Sequence, residues 1–285
     1  MACEHEEGRL VPWKRRWARR ALLRARSRQA HRRLYNADAL DELRREKKLA
    51  NLLDGSLASG DFIVLLQPKV RLADGTVAGA EALVRWLHPH EGTIHPSEFV
   101  PALERIGGVR ELDRYVFERV CERLARWLRE GRAPVPVSVN LSRRHFEDPC
   151  FLASFVAAAD RLGVPHRLLE MEVTESIFLD DEAIENVKRA VRDIRAAGFS
   201  CSLDDFGSGY SSLGLLKEFD VSTLKLDRRF FRNDTPRARD VVEAIVRLAA
   251  KLGLTTVAEG IESEHQLAFL RYVGCDLVQG YVYAE

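Results

Sequence analysis

Nine polar side chains stand out by type and by place: Gln67, Glu81, Asn140, Glu172, Asp204, Asp205, Lys225, Glu259 and Gln279. Each lies on or just beyond a short apolar run, where a strand would deliver it to one end of a sheet. Five of them are carboxylates. Gathered in one place, those acids repel one another unless cations lie between them. Oxygen donors with no cysteine among them favour hard divalent ions, Mg²⁺ or Mn²⁺, over zinc. Asp204 and Asp205 are adjacent and Asp204 is able to bridge, so the pattern invites a two-metal centre clamping a phosphoryl group. Lys225 is suited to orienting or deprotonating a water, or to balancing charge. A plainer reading makes each acid the N-cap of the following helix. That explains any one position, but poorly explains why all fall at the same end of successive strands.

The elements that must position these groups follow a rhythm. Apolar runs lie at 62–66, 77–83, 136–141, 169–173, 199–203, 223–226, 255–258 and 276–278. Between most of them come helical patterns, at 97–105, 109–129, 149–162, 181–197, 211–218, 237–252 and 263–272. Strand and helix alternating up to eight strands predicts an α/β fold, a (β/α)₈ barrel whose strand ends converge on one mouth. The first two runs break the rule. About ten residues containing Asp74-Gly75 separate them, too few for the crossover that parallel neighbours need. An antiparallel first pair, joined through a turn at Asp74-Gly75, is expected there.

Composition bounds the rest. The 285 residues carry 44 basic and 43 acidic side chains, a formal charge of +1. Residues 9–33 hold eleven Lys and Arg and no acid, so a strongly basic arm precedes a body with net charge −10. Leu10, Trp13, Trp17 and Ala21 fall opposite the arginines at helical spacing, making the arm a basic amphipathic helix by pattern. A second helix is expected over 38–58. The hydrophobic fraction of 46% excludes global disorder. No run approaches the ~18 apolar residues of a membrane span, and no basic n-region followed by an apolar h-region opens the chain. Five widely spaced cysteines without a CxxC indicate ordinary thiols in a reducing compartment. A cytoplasmic protein is expected.

The motifs QPKV, EALVRWLHP, SVNLS, EVTES, DDFGSGYSSL, KLDRRF, VAEGIE and QGY occur in that order from about residue 60 to the end. In these the chain resembles the EAL family of cyclic di-GMP phosphodiesterases, with Glu81-Ala82-Leu83 as the name-giving triplet. The resemblance implies a modified (β/α)₈ TIM barrel with an antiparallel first strand over 60–285, apparently truncated at its C-terminus, behind a helical arm and linker over 1–59. It implies hydrolysis of cyclic di-GMP to linear pGpG with two ions, Mg²⁺ or Mn²⁺. Glu81, Asn140, Glu172 and Asp204 resemble the first metal's ligands, and Asp204, Asp205 and Glu259 the second's surroundings. Glu81, Lys225 and Glu259 carry the catalytic roles, Lys225 positioning the attacking water. Gln67, Arg85 and Gln279 match positions near the bound dinucleotide, and Glu175 the anchor of the loop 205–212. A homodimer is implied as well. A non-catalytic cyclic di-GMP receptor is the alternative.

Departures from the family pattern are Leu66 in place of an aromatic, Gly107-Gly108-Val109 in place of Gly-Leu-Ile, and a chain that stops just after QGYVYA. The family continues there into a last helix, so an uncovered flank of the first and last strands is expected. His88, His90 and His95 resemble a metal cluster but read as surface or structural residues, and Asp113 and Arg114 as solvated or rim residues. Gly207-x-Gly209 lacks the third glycine of a dinucleotide fingerprint. The arm weakly resembles the tail of a GGDEF cyclase domain. It reads as a solvated helix, as the remnant of such an upstream signalling domain, or as a contact for an anionic membrane surface or nucleic acid.

Overall fold

The computed structural model describes residues 43–175, 184–207 and 213–283. The chain divides into two units, Met1–Leu52 and Leu53–Glu285. In the first, residues 43–52 are helical; the basic arm over 9–33 and the start of the helix expected over 38–58 lie outside the described residues. No helix among the described residues is long and apolar enough to cross a membrane.

Among its described residues the second unit carries nine strands: β1 (Phe62–Arg71), β2 (Val77–His88), β3 (Gly92–Ile94), β4 (Val137–Asn140), β5 (Leu169–Thr174), β6 (Ser200–Phe206), β7 (Thr223–Leu226), β8 (Thr255–Ala258) and β9 (Leu277–Val278). β1 pairs with both β2 and β9, closing the sheet through eight strands, while β3 lies beside β2. The pairings of β2 with β4, and onward in order to β9, are parallel. β1 alone among these eight is antiparallel to its neighbours. The cause is local. Arg71 N–H donates to Thr76 O at 2.8 Å, and Asp74 Oδ1 accepts from the Thr76 backbone N–H at 3.0 Å and hydroxyl at 2.6 Å. Gly75 takes φ 72°, a left-handed conformation that costs glycine little. The chain therefore reverses within a few residues, as the short spacing requires.

Among the described residues after Gly60 the α-helices are α1 (Pro96–Ile106), α2 (Val109–Arg129), α3 (Leu152–Leu162), α4 (Ile184–Ala196), α5 (Leu213–Glu218), α6 (Arg229–Arg232), α7 (Pro236–Lys251) and α8 (Glu264–Val273). α2 shows why they form. Val109, Leu112, Val116, Phe117, Val120, Cys121 and Leu124 recur every three or four residues and are all buried, a stripe wide enough to seal one face. Each such side chain contributes on the order of 1.5–3 kcal/mol by leaving water. Phe117 meets Phe155 of α3 edge-on at 4.9 Å and Phe199 before β6 at 6.2 Å. The strands use the period of two. On β5, Leu169, Met171 and Val173 are fully buried on one face, leaving Glu170 and Glu172 on the other. That second face lines the barrel interior with polar groups.

One strand and one α-helix among the described residues were not expected. β3 is three residues long, too short to show a period, and pairs with Trp86–His88 because β2 runs five residues past its apolar run. α6 is a single turn whose Arg229 N–H donates to Asp227 Oδ1 at 2.7 Å. His88 Nδ1 accepts from the N–H groups of His90 and Glu91, so this histidine builds a turn. On β1, Ile63 and Leu65 are 37% and 46% exposed beside a groove of about 500 Å³ against α2. On β9, Val278 is buried and Leu277 half-buried.

Candidate metal and phosphodiester site

Lys225, on β7, is 1% exposed, and its ammonium touches four carboxylates. Nζ lies 3.2 Å from Glu81 Oε2, 2.7 Å from Glu172 Oε2, 3.0 Å from Asp204 Oδ1 and 2.8 Å from Glu259 Oε1. The acids come from β2, β5, the end of β6 and the residue after β8. Closure of the barrel is what brings positions up to 178 residues apart in sequence within reach of one atom. Asn140, ending β4, donates from Nδ2 to Glu81 Oε1 at 3.1 Å. Gln279 Nε2 donates to Glu81 Oε2 at 2.7 Å and to Gln67 Oε1 at 2.6 Å. Asp205 stands at φ 56°, and Asp204 Oδ1 accepts its N–H at 2.8 Å. A bulge-like shift between β6 and β7 at this point turns two consecutive aspartates toward one place, which a regular strand would not do.

The electrostatics follow from this crowding. Burial pushes the Asp204 carboxyl well above its usual range, and Glu259, Glu172 and Glu81 add to the rise against the pull of Lys225. Burial likewise lifts Glu259 to about 7, with Lys225 opposing and Glu81 adding. Asp205 is raised by burial and by the neighbouring carboxyl of Asp227. Burial pushes Glu172 the same way, but Lys225 and Lys69 overcome it and hold this acid at about 2. Burial first, and neighbouring acids second, therefore raise the proton affinity of Asp204, Asp205 and Glu259.

Asp204, Asp205 and Glu259 each offer an oxygen, and the three oxygens lie within 4.8 Å of one another. With Glu81, Asn140 and Glu172 beside them, all donors are oxygens of carboxylates or an amide, which fits a hard divalent ion. The ammonium held among four acids shows how strongly this cluster demands a cation.

Next to this cluster a cavity of about 480 Å³ is lined by Arg85, Asn140, Ser142, Arg143, Glu104 and Asp113, among others. Arg85 Nη1 donates to Val84 O at 3.0 Å. The structure thus gathers Gln67, Glu81, Asn140, Glu172, Asp204, Asp205, Lys225, Glu259 and Gln279, with Arg85 on the adjoining wall. Glu175 Oε2 accepts the Gly207 N–H at 3.1 Å, holding the start of the loop 205–212, of which 208–212 lie outside the described residues.

Asp113 corrects the sequence reading. It is largely buried, accepting the Ser142 N–H at 2.9 Å and lying 3.1 Å from His145 Nε2. It therefore ties α2 to the turn after Asn140. Arg114 is exposed as expected and pairs with Glu111. Two buried residues escaped notice. Lys69 bonds Glu170 and Glu172, and Asp227 lies beside Asp205. Each is two residues from a singled-out position, Gln67 or Lys225, so the period of two was the signal that would have found them.

A closed barrel of this kind with an acidic mouth defines a class, and comparison with known proteins gives the family. Residues 49–285 match the EAL domain model, and the chain belongs to the EAL domain family. It is 36% identical over 253 residues to an uncharacterised signalling protein of Caulobacter vibrioides, covering 87% of this chain and 30% of that protein. It is also 36% identical over 227 residues to the cyclic di-GMP phosphodiesterase PA2567 of Pseudomonas aeruginosa, covering 79% of this chain and 38% of that protein. The solved complex of the PaMucR phosphodiesterase with c-di-GMP is similar at a TM-score of 0.77 and 35% identity, covering 84% of this chain and 96% of that one. The chain spans between 30% and 38% of the length of these two curated relatives.

Proposed function

We propose that residues 60–285 hydrolyse one phosphodiester of cyclic di-GMP to give linear pGpG. The observation that carries this reading is the Lys225 ammonium within 3.2 Å of four carboxylates, three on different strands and one just after a fourth. Cyclic di-GMP carries one negative charge on each of its two phosphodiesters, so it meets such a cluster only with added positive charge, which two divalent ions, Mg²⁺ or Mn²⁺, would supply. When bound, they stabilise charge developing on the phosphoryl oxygens and acidify a nucleophilic water. Glu81, Asn140, Glu172 and Asp204 would hold the first ion, and Asp204, Asp205 and Glu259 the second. Lys225 orients the attacking water, its ammonium fixed by its carboxylate partners. Gln67 and Gln279 position the nucleotide beside Glu81, and Arg85 faces a phosphate with a planar fork of donors. Glu175 keeps the loop after β6 in register. The curated relative with a named activity, the cyclic di-GMP phosphodiesterase PA2567, and the fold shared with the PaMucR phosphodiesterase in its c-di-GMP complex support the substrate class.

In this reading the protein works in the cytoplasm, as a homodimer. The arm over 9–33 joins it to an upstream signalling domain or to an anionic membrane surface, a contact that salt would weaken. The decisive experiment is chromatography of cyclic di-GMP incubated with the chain and Mg²⁺ or Mn²⁺. Accumulation of pGpG, lost in Glu81→Ala and Lys225→Ala, is expected. Tight binding of intact cyclic di-GMP without turnover would make the protein a receptor instead.

A further inference from the structure

Beneath the carboxylate cluster lies a second buried ammonium that the reaction as described does not use. Lys69 of β1 is 3% exposed, and its Nζ lies 2.9 Å from Glu172 Oε1 and 3.0 Å from Glu170 Oε2. Glu172 is fully buried, and its other oxygen, Oε2, accepts from Lys225 at 2.7 Å. The two oxygens of this one carboxylate therefore have separate partners. Period-two geometry explains the layering, since Gln67 and Lys69 share a face of β1 and Glu170 and Glu172 share a face of β5. Gln67 reaches the Glu81–Gln279 cluster, while Lys69 reaches Glu170 and Glu172.

We infer that Lys69 is a positioning residue that reserves Oε1 of Glu172, so that this acid offers a divalent ion one oxygen rather than two. The inference rests on the metal reading above. Its consequence is selectivity between ions. Mg²⁺ demands a near-octahedral set of donors, whereas Ca²⁺ takes six to eight oxygens and accepts a carboxylate through both. A lysine that withholds one oxygen narrows the donor set toward the smaller ion. If Lys69 only neutralised buried acids, Glu170 would need it as much as Glu172, and ion preference would not depend on it.

The test pairs charge-balanced variants with metal binding in the absence of nucleotide. Isothermal titration with Mg²⁺ and Ca²⁺ is compared for the native chain, Glu170→Gln, Lys69→Met/Glu170→Gln and Lys69→Gln/Glu170→Gln. Loss of the reserved contact in the methionine variant is expected to raise the Ca²⁺ to Mg²⁺ affinity ratio by about tenfold or more. The glutamine variant keeps a donor for Oε1, and, like Glu170→Gln alone, is expected to stay within about threefold of native. An unchanged ratio in a folded methionine variant overturns the inference. So does a tenfold shift in the glutamine variant, which serves if the methionine variant does not fold. If the native chain binds no divalent ion, the metal reading itself falls and this inference with it.

Discussion

A lysine ammonium enclosed by four acids is stable only while both sides of the cluster persist. Burial alone favours a neutral Lys225, yet Asp204, Glu172, Glu81 and Glu259 together raise its pKa well above the usual value, so it stays charged. Removing one member of a buried ionic set leaves uncompensated charge, at a cost of roughly 3–5 kcal/mol. Lys225→Met is therefore expected to lower the melting temperature of the metal-free protein, and saturating Mn²⁺ to restore much of it by supplying the missing charge. Turnover with Mn²⁺ should still fall by about 10²–10⁴-fold, the range for losing a group that handles a proton or its water. The reading of Lys225 fails if metal-free Lys225→Met melts with the native protein, or if Mn²⁺ restores turnover along with stability.

At the level of elements, the end of β6 carries the most demanding geometry. Gly207 has φ 94°, and a Cβ there would lie 2.2 Å from the ring of Phe230, which belongs to α6. Backbone held in that region costs a residue other than glycine about 1–3 kcal/mol before any clash. Relief would move Asp205, two residues earlier, or break the Gly207 N–H contact to Glu175. Gly207→Ala is expected to reduce kcat by about tenfold or more while the barrel keeps its circular dichroism, because a misplacement of about 1 Å is enough. Native kcat in that variant would show that the turn tolerates displacement. Much of this frame was legible in the sequence. The short link through Asp74-Gly75 dictated the antiparallel β1, and acids at successive strand ends marked the mouth. Lys69 and Asp227 were not singled out because they lie beside the conspicuous positions rather than at them. Asp113 borders the apolar stripe of α2, and its partners Ser142 and His145 lie 29 and 32 residues away. Only the packed fold decides that such a residue is an anchor and not a solvated charge.

Across the whole molecule, the sign of the charge at the mouth sets how stability responds to pH and to cations. Four carboxylates, Glu81, Glu172, Asp204 and Glu259, surround the ammonium of Lys225, Asp205 lies beside Asp204 and Glu259, and Lys69 reaches Glu172. Glu259 titrates near 7 in the folded protein against 4.5 for the free side chain, and Asp204 and Asp205 are shifted the same way. An acid with a raised folded pKa keeps its proton in the native state after the unfolded chain has lost it. Stability then falls as pH rises from the unfolded value through the folded one. For Glu259 that window runs from 4.5 to about 7, a shift equivalent to roughly 3 kcal/mol. Glu172, lowered to about 2, contributes the opposite trend only below 4.5, and the raised pKa of Lys225 matters only above 10.5. The EDTA-treated protein is therefore expected to melt several degrees lower at pH 8 than at pH 5.5. Because a divalent ion must displace those retained protons, Mg²⁺ or Mn²⁺ should raise the melting temperature more at pH 8 than at pH 5.5. Differential scanning calorimetry at the two pH values, with and without the ion, checks both. A metal increment that is equal at the two pH values, or larger at pH 5.5, would mean that these carboxyls do not hold the ion.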